Sequence, residues 1–328
     1  MQGGLLPAGA GTGPLVRIAC DESGFSGTNL LHPGMPTITH ASVDLSVDEA
    51  SDVLARLGVR GSSPEFKAGR FLRGGSHDWF LAALRGRAFV HVIDKRFFLV
   101  TRIVDLLLYE PSYAAGTRLT QDQRPAAVAL HDAVRESSGL LTAFADLVRT
   151  KRRRPASETA ERFLRAAKPV IEVEPARVRR LADRLDQDDR TVPPPLEPLL
   201  PALAETVLTW SGGTRRVLVT HDEQSALTAD RLSRLQRALA AGDGVSPLAG
   251  FVMADSRDDP RVQVADLLAG VARRHGVGND LLTPTSWRNT EGRGPLSEGT
   301  APLPGADQTA TGASSGTGVA DPPDRCRR

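Results

Sequence analysis

Several apolar segments of the sequence end at acidic residues. The segment "VRIAC" runs directly into two adjacent carboxylates, and three later segments end in the same way. Each acid alone is more often a turn residue or the N-cap of a helix. In open α/β sheets, however, functional sites lie beyond the carboxyl ends of the strands, so four such ends predict a cluster of carboxylates. The acids concerned are Asp21-Glu22, Asp94, Asp222-Glu223 and Asp255.

A further carboxylate, Asp266, lies in a segment that is apolar on nearly all sides. The stretch "VQVADLLAGVA" is typical of a buried helix. A lone carboxylate is costly there unless a base or a cation matches it, and no Lys or Arg lies three or four residues away. An arginine from elsewhere in the chain is one possible partner. Metal ligation by Asp266 together with the strand-end acids accounts better for the pattern.

The ligand types indicate which metal to expect. Hard oxygen ligands, without cysteines or clustered histidines, favour Mg²⁺ or Mn²⁺ over zinc. Two such ions about 4 Å apart can activate a water and stabilise the leaving oxygen when a phosphodiester is cleaved. Glu22 and Glu223 rank behind their neighbours, because adjacent residues of a strand face opposite ways. The first candidates are Asp21, Asp222, Asp255 and Asp266.

Strand-like and helical segments alternate in two parts of the chain, and the part between them is helical. Amphipathic patterns such as "SALTADRLSRLQRALA" follow the strand-like segments. This alternation is typical of an α/β domain, which the helical part would interrupt. We therefore predict a flexible N-terminus over 1–14, an α/β domain over 15–280 with a helical insertion at about 110–209, and a disordered Gly/Ser/Thr/Pro-rich tail over 281–328.

Composition restricts the protein class. The 328 residues are 40% hydrophobic and 24% charged, with a net charge of +2, as in ordinary globular proteins. No apolar stretch is long enough to span a bilayer, and the first residues do not resemble a signal peptide, so we expect a cytoplasmic protein without membrane contact. Cys20 and Cys326 lie at opposite ends of the sequence, which argues against a disulfide framework or a cysteine zinc site.

Four motifs together resemble a known family. They are Asp-Glu-Ser-Gly at 21–24, Glu-x-Lys in "PEFKAGRF", "HDE" at 221–223 and the closing "MADSRDDPRVQVADLLAG". In this combination the chain resembles the domain of unknown function 3800 family, over roughly 16–100 and 214–274. The resemblance implies a ribonuclease H-like mixed sheet flanked by helices.

The resemblance also implies roles for individual residues. Asp21, Asp222 and Asp266 would be the metal-binding and catalytic acids, joined by Asp255 as a ligand. Lys67 would contact a phosphate or the metal-bound water. Arg257 stands where the family often has lysine, and it would still contact phosphate, although through a planar fork.

Other features bear on the ligand. The run "RTKRRRP" (149–155) would attract nucleic-acid phosphates, although such runs are more often solvated helix ends. His221 is more often a structural hydrogen-bonding residue at such a position than a catalytic one. The sequence has no glycine-rich NTP-binding loop. Secondary candidates around the acids are Ser23, Asp94, His221, Glu223 and Gln263.

These patterns predict a metal-dependent nuclease that cleaves DNA or RNA through carboxylate-bound Mg²⁺ or Mn²⁺. The alternative is a non-catalytic ribonuclease H-like module that binds nucleic acid or a protein partner. Both would carry basic surface near the acids, but only the enzyme requires the acids to converge.

Overall fold

The computed structural model describes residues 13–25, 27, 29–58, 77–134, 138–149, 155–240 and 244–287. All of them belong to one unit, Met1–Asn289. The predictions for the N-terminal residues 1–12, for Lys67, for most of the basic run and for the tail beyond 287 lie outside the described residues.

The centre of the unit is a mixed five-stranded sheet with the strand order 3-2-1-4-5. β2 is antiparallel to β1 and β3, whereas β4 is parallel to both β1 and β5. Four strands therefore end at the same edge of the sheet, which we call the carboxyl edge. The strands are β1 (Leu15–Ser23), β2 (Thr37–Val43), β3 (Ala88–Asp94), β4 (Arg216–Asp222) and β5 (Leu248–Ala254).

Ten α-helices are described around this sheet. Their apolar residues recur at helical spacing, so that each helix buries one side against a neighbour. The helices are α1 (Val47–Arg56), α2 (His77–Ala83), α3 (Lys95–Leu107), α4 (Arg124–Ala133), α5 (Ser138–Val148), α6 (Ala156–Ala167), α7 (Pro175–Asp186), α8 (Leu199–Ser211), α9 (Ala229–Leu239) and α10 (Pro260–His275).

Each face of the sheet carries its own hydrophobic core. On one side, which we call the α10 face, α1, α2 and α10 pack against apolar residues of β1 and β2 such as Ala19 and Ala41. On the other side, the α8 face, Ile18 and Cys20 join a larger core that includes α3 to α9. The predicted α/β class is thus confirmed, as a mixed sheet flanked by helices on both faces. The predicted helical insertion at about 110–209 holds α4 to α7 and most of α8, all on the α8 face.

No described helix is long and apolar enough to cross a membrane.

Two boundaries differ from the sequence-based expectation. The first strand was expected to stop at Cys20, but it continues through Ser23 because β2 pairs with it that far. Likewise, residues 281–287 are ordered although they were assigned to the tail. The backbone of Trp287 donates to Val92 of β3, and its ring stacks on Phe97 at 3.8 Å. Trp287 therefore anchors residues 281–287 to the domain, although the predicted tail 281–328 is polar on average.

Candidate functional site

β1 brings Asp21 to the α10 face of the sheet. Side chains alternate along a strand, so Asp21 points to the same side as Ala19, whereas Cys20 points to the other. The Asp21 side chain is buried, with 6% of the residue exposed. Its Oδ1 accepts a hydrogen bond of 2.7 Å from the backbone N–H of Glu22.

Two further acids, Asp222 and Asp266, lie close enough to Asp21 to repel its negative charge. Asp222 ends β4, the parallel neighbour of β1, and Asp266 lies in α10, which packs across β1 and β2. Both acids are half-buried, and both interact electrostatically with Asp21. Oδ1 of Asp222 also accepts a hydrogen bond of 3.0 Å from the backbone N–H of Ser256. The structure therefore brings three of the predicted ligands together, two from neighbouring strands and one from the helix above them.

Burial and the neighbouring carboxylates raise the pKa of Asp21. Burial, followed by the charges of Glu22, Asp266 and Asp222, raises the pKa of Asp21 to about 9, against a smaller lowering by the hydrogen bond from the Glu22 backbone. Like charges that share a site cannot all ionise at low cost. At neutral pH the cluster therefore holds a proton on Asp21 unless a cation compensates the charges.

Glu22 points to the opposite, α8 face. Its Oε1 accepts a hydrogen bond of 2.6 Å from the side-chain amide of Gln224. Its Oε2 is buried, has no hydrogen-bond partner among the described residues, and lies 3.9 Å from Nε2 of His221. A buried carboxylate oxygen without a partner is costly, so this atom is available to a cation or a donor group.

A buried histidine pair lies beside Glu22. Nε2 of His40, in β2, is 3.2 Å from Nε2 of His221, in β4, and Nδ1 of His40 is 3.0 Å from the hydroxyl of Thr206. Nδ1 of His221 donates to the carbonyl oxygen of Asp222 at 3.0 Å. With both rings neutral, Nε2 of His221 then accepts from His40, whose Nδ1 accepts from Thr206. This chain of bonds anchors the backbone beneath one of the acids.

Burial and the neighbouring histidines keep His40 uncharged. Burial comes first, then the positive forms of His221 and His91, and together they lower the pKa of His40 well below its usual range. The sequence analysis missed His40, because its only local signal is one histidine within an apolar strand. Gln224, which holds Glu22, was missed as well, because no local pattern marks a glutamine in the segment after β4.

Asp255 is not part of the acid cluster. Its carboxylate accepts two hydrogen bonds from Nε of Arg257, at 2.9 and 3.1 Å, and another from the Arg257 backbone. These bonds lower the pKa of Asp255 to about 2. Asp255 was expected to ligate metal and Arg257 to contact phosphate. Instead, their side chains bind each other within the turn Asp255-Ser256-Arg257.

The remaining candidates have separate positions. Asp94 lies at the carboxyl edge, but it is the N-cap of α3, where its Oδ1 accepts from the backbone N–H of Phe97 at 2.8 Å. Glu223 is exposed just after β4, and Gln263 is half-buried in the first turns of α10. Ser23 lies on the α10 face beyond Asp21 and accepts a hydrogen bond from Arg273.

A cavity of about 800 Å³ lies between the segment before α8 and the segment after β4. Its lining includes Pro195 and Glu197 from the segment before α8, and Ser225 and Arg231 from the segment after β4. Burial raises the pKa of Glu197 to about 7, and the charge of Glu22 contributes to that rise. One lining residue of the cavity thus interacts electrostatically with Glu22, and a cavity of this size is large enough for part of a substrate.

The acids fit a hard divalent cation in the chemistry of their ligand atoms, although not yet in their spacing. Asp21, Asp222 and Asp266 offer carboxylate oxygens, and the raised pKa of Asp21 is what an uncompensated cluster produces. In the part of the chain that the structure describes, however, no group of three or more His, Cys, Asp or Glu side chains is arranged to hold a metal ion. A cation would have to draw the carboxylates closer together.

Chemically, the arrangement offers a proton-holding acid, two carboxylates beside it and a buried histidine pair on the opposite face of the sheet. Such a site can concentrate a cation or exchange a proton. A comparison of the chain with protein-family models, curated proteins and solved structures found no match.

Proposed function

We propose that the chain is a nuclease with a ribonuclease H-like fold that hydrolyses phosphodiester bonds with the help of Mg²⁺ or Mn²⁺. One observation carries the proposal: Asp21 is buried, and burial, followed by the charges of Glu22, Asp266 and Asp222, raises its pKa to about 9. Such repulsion is costly without a compensating ligand, and a divalent cation is the simplest one. The 3-2-1-4-5 strand order with only β2 reversed supports the proposed fold, and so does the motif resemblance to the domain of unknown function 3800 family.

In this proposal Asp21, Asp222 and Asp266 hold the cation. When bound, the ion would lower the pKa of a water and neutralise charge on the phosphate. Asp21 would release its proton to solvent in order to hold the cation. Glu22, held by Gln224, adds negative charge beside the site. The substrate partner is DNA or RNA.

The test is metal-dependent cleavage. Purified protein is incubated with labelled DNA, RNA and hybrid duplexes. One set contains about 1–10 equivalents of Mn²⁺ per protein, and the other contains EDTA. Asp21→Asn and Asp266→Asn should each reduce cleavage at least about 100-fold, because each removes a charged ligand of the ion. Asp255→Asn is the matched control, since that carboxylate is bound to Arg257, and it should keep cleavage near the wild-type rate. Unchanged cleavage in both cluster variants would refute the proposed site.

The second candidate is a non-catalytic module of the same fold that binds nucleic acid or a protein. It is favoured by the lack of a metal-holding arrangement of three side chains within the described ranges. The two proposals separate in a calorimetric titration with Mn²⁺. Binding that is lost in Asp266→Asn supports the enzyme. No Mn²⁺ binding, together with retained binding of an oligonucleotide, supports the module.

A further inference from the structure

A buried lysine lies just after β3, at the carboxyl edge, and no described carboxylate forms a salt bridge with it. Lys95 is the first residue of α3, and only 1% of it is exposed. Its backbone N–H donates to the carbonyl of Pro36, but its Nζ has no hydrogen-bond partner among the described residues. A buried ammonium is expensive unless an anion matches it.

A second cation, Arg273, lies close to Lys95. It belongs to α10 and follows Asp266 by seven residues, which is two helical turns, so both lie on the same side of the helix. Its Nε donates to the hydroxyl of Ser23 at 3.0 Å. Burial, and then the charge of Arg273, lowers the pKa of Lys95, while burial and Arg274 lower that of Arg273. Neither cation forms a salt bridge with any carboxylate that the structure describes.

The backbone after β1 holds the arginine in place. Gly24 has φ +92°, and a Cβ there would lie 2.7 Å from Cδ of Arg273 and 2.5 Å from the carbonyl oxygen of Thr37. Only glycine fits at this point, since other residues rarely adopt that φ and no space remains for a side chain. The aliphatic part of Arg273 therefore lies directly on the chain beyond the acids.

The distance from the acids suits a nucleic-acid strand. Ser23 is two residues beyond Asp21 on the same face of β1, and two residues of extended chain span about 6.6 Å. That is close to the separation of neighbouring phosphates in a polynucleotide. A phosphate at the acid cluster would thus place the next phosphate beside Ser23 and Arg273.

We propose that Lys95 and Arg273, with the Ser23 hydroxyl, bind the phosphate adjacent to the one at the acid cluster. This inference rests on the proposed function for the identity of the ligand. It differs from the sequence-based assignment of a phosphate contact to Arg257, which is held by Asp255. The assignment to Lys67 lies outside the described residues and stays a prediction. An anion that reaches Lys95 enters a desolvated position, where its attraction to the two cations is strong.

The experiment measures binding without cleavage. A fluorescently labelled single-stranded DNA is titrated with protein in EDTA over a range of salt concentrations, and binding is followed by anisotropy. The variants are Lys95→Met and Arg273→Gln, and the matched control is Arg274→Gln, which changes the exposed neighbour on the same helix. Each site variant should weaken binding about tenfold and reduce the slope of log K against log salt by about 0.7, the value for one phosphate on a single strand. The control should keep the wild-type slope.

Thermal unfolding of the unliganded protein supplies a second readout. Removing an unmatched buried cation relieves its desolvation cost, so Lys95→Met should melt at a higher temperature than the wild type. A lower melting temperature would show that Lys95 has a structural partner, and it would overturn the proposal. A wild-type salt slope in both site variants, or a wild-type protein that does not bind the oligonucleotide, would overturn it as well.

The outcomes distinguish this subsite from the proposed enzyme. Reduced slopes without any Mn²⁺-dependent cleavage would leave the phosphate site standing in a non-catalytic binding protein. Metal-dependent cleavage with unchanged slopes would retain the nuclease and refute the subsite.

Discussion

Replacing Asp21 with asparagine should stabilise the metal-free protein, by an amount that grows with pH. In the unfolded chain an aspartate ionises near pH 3.9, whereas the pKa of Asp21 in the folded protein is about 9. Between these values the folded state binds more protons than the unfolded state. The stability of the wild type therefore falls as pH rises from about 4 to about 9. Asparagine has no proton to lose, so the variant lacks this loss, and its Oδ1 can still accept the hydrogen bond from the Glu22 backbone.

The size of the effect follows from the shift in pKa. Each pH unit within the window changes the free energy of unfolding by about 1.36 kcal/mol. The variant should thus gain at most about 1.5 kcal/mol at pH 5, about 4 kcal/mol at pH 7 and about 5.5 kcal/mol at pH 8. Rearrangement of the half-buried neighbours Asp222 and Asp266 will reduce these upper limits.

Urea unfolding at pH 5, 6, 7 and 8 in EDTA measures the difference. The matched control is Asp48→Asn, which changes an exposed aspartate in the first turn of α1 and should give a small, pH-independent difference. A difference for Asp21→Asn that stays constant over this range would show that Asp21 ionises normally. The carboxylate cluster would then not exist as described, and the functional proposal would lose its main support.

Three further predictions concern the cation and the frame around the site. Because Mn²⁺ must displace the proton of Asp21, its apparent affinity should rise about tenfold per pH unit from pH 6 to 8, which calorimetry measures. Arg118→Met should cost about 3 kcal/mol in urea unfolding, because it leaves the fully buried carboxylate of Glu205 without its 2.6 Å partner. Trp287→Ala should cost about 2 kcal/mol, since it removes the ring stacked on Phe97, and a loss below about 0.5 kcal/mol would show that the segment is not anchored.

The sequence was sufficient for the parts of the site that depend on local patterns. Apolar segments followed by acids predicted strands with a common carboxyl edge, and the apolar surroundings of Asp266 predicted a carboxylate in a helix packed on the sheet. Strand alternation left open which residue of the Asp21-Glu22 pair would join the cluster. The structure places Asp21 under α10 and Glu22 against His221.

Other features depend on contacts between distant segments or on short-range competition. His40 meets His221 only because β1 lies between their strands in a defined register, 181 residues apart in sequence. Asp255 is the opposite case: an arginine two residues away binds its carboxylate more readily than a distant cluster can. Trp287 escaped prediction because its partner, Phe97, lies in a helix far along the chain.

The acid cluster on the α10 face and the histidine pair on the α8 face are joined through adjacent residues of β1 and β4. Asp21 and Glu22 belong to different faces of β1, and His221 and Asp222 belong to different faces of β4. The bond from Nδ1 of His221 to the Asp222 carbonyl fixes the backbone from the α8 face. A cation bound on the α10 face, as proposed, would therefore act on carboxylate side chains that project from anchored strands. Because the strands are held, the three acids can be brought to ligand spacing only by side-chain rotation or by a shift of α10, which carries Asp266. The helix that supplies the third acid also supplies Arg273, so a shift that closes the acid cluster would move the proposed phosphate contact with it.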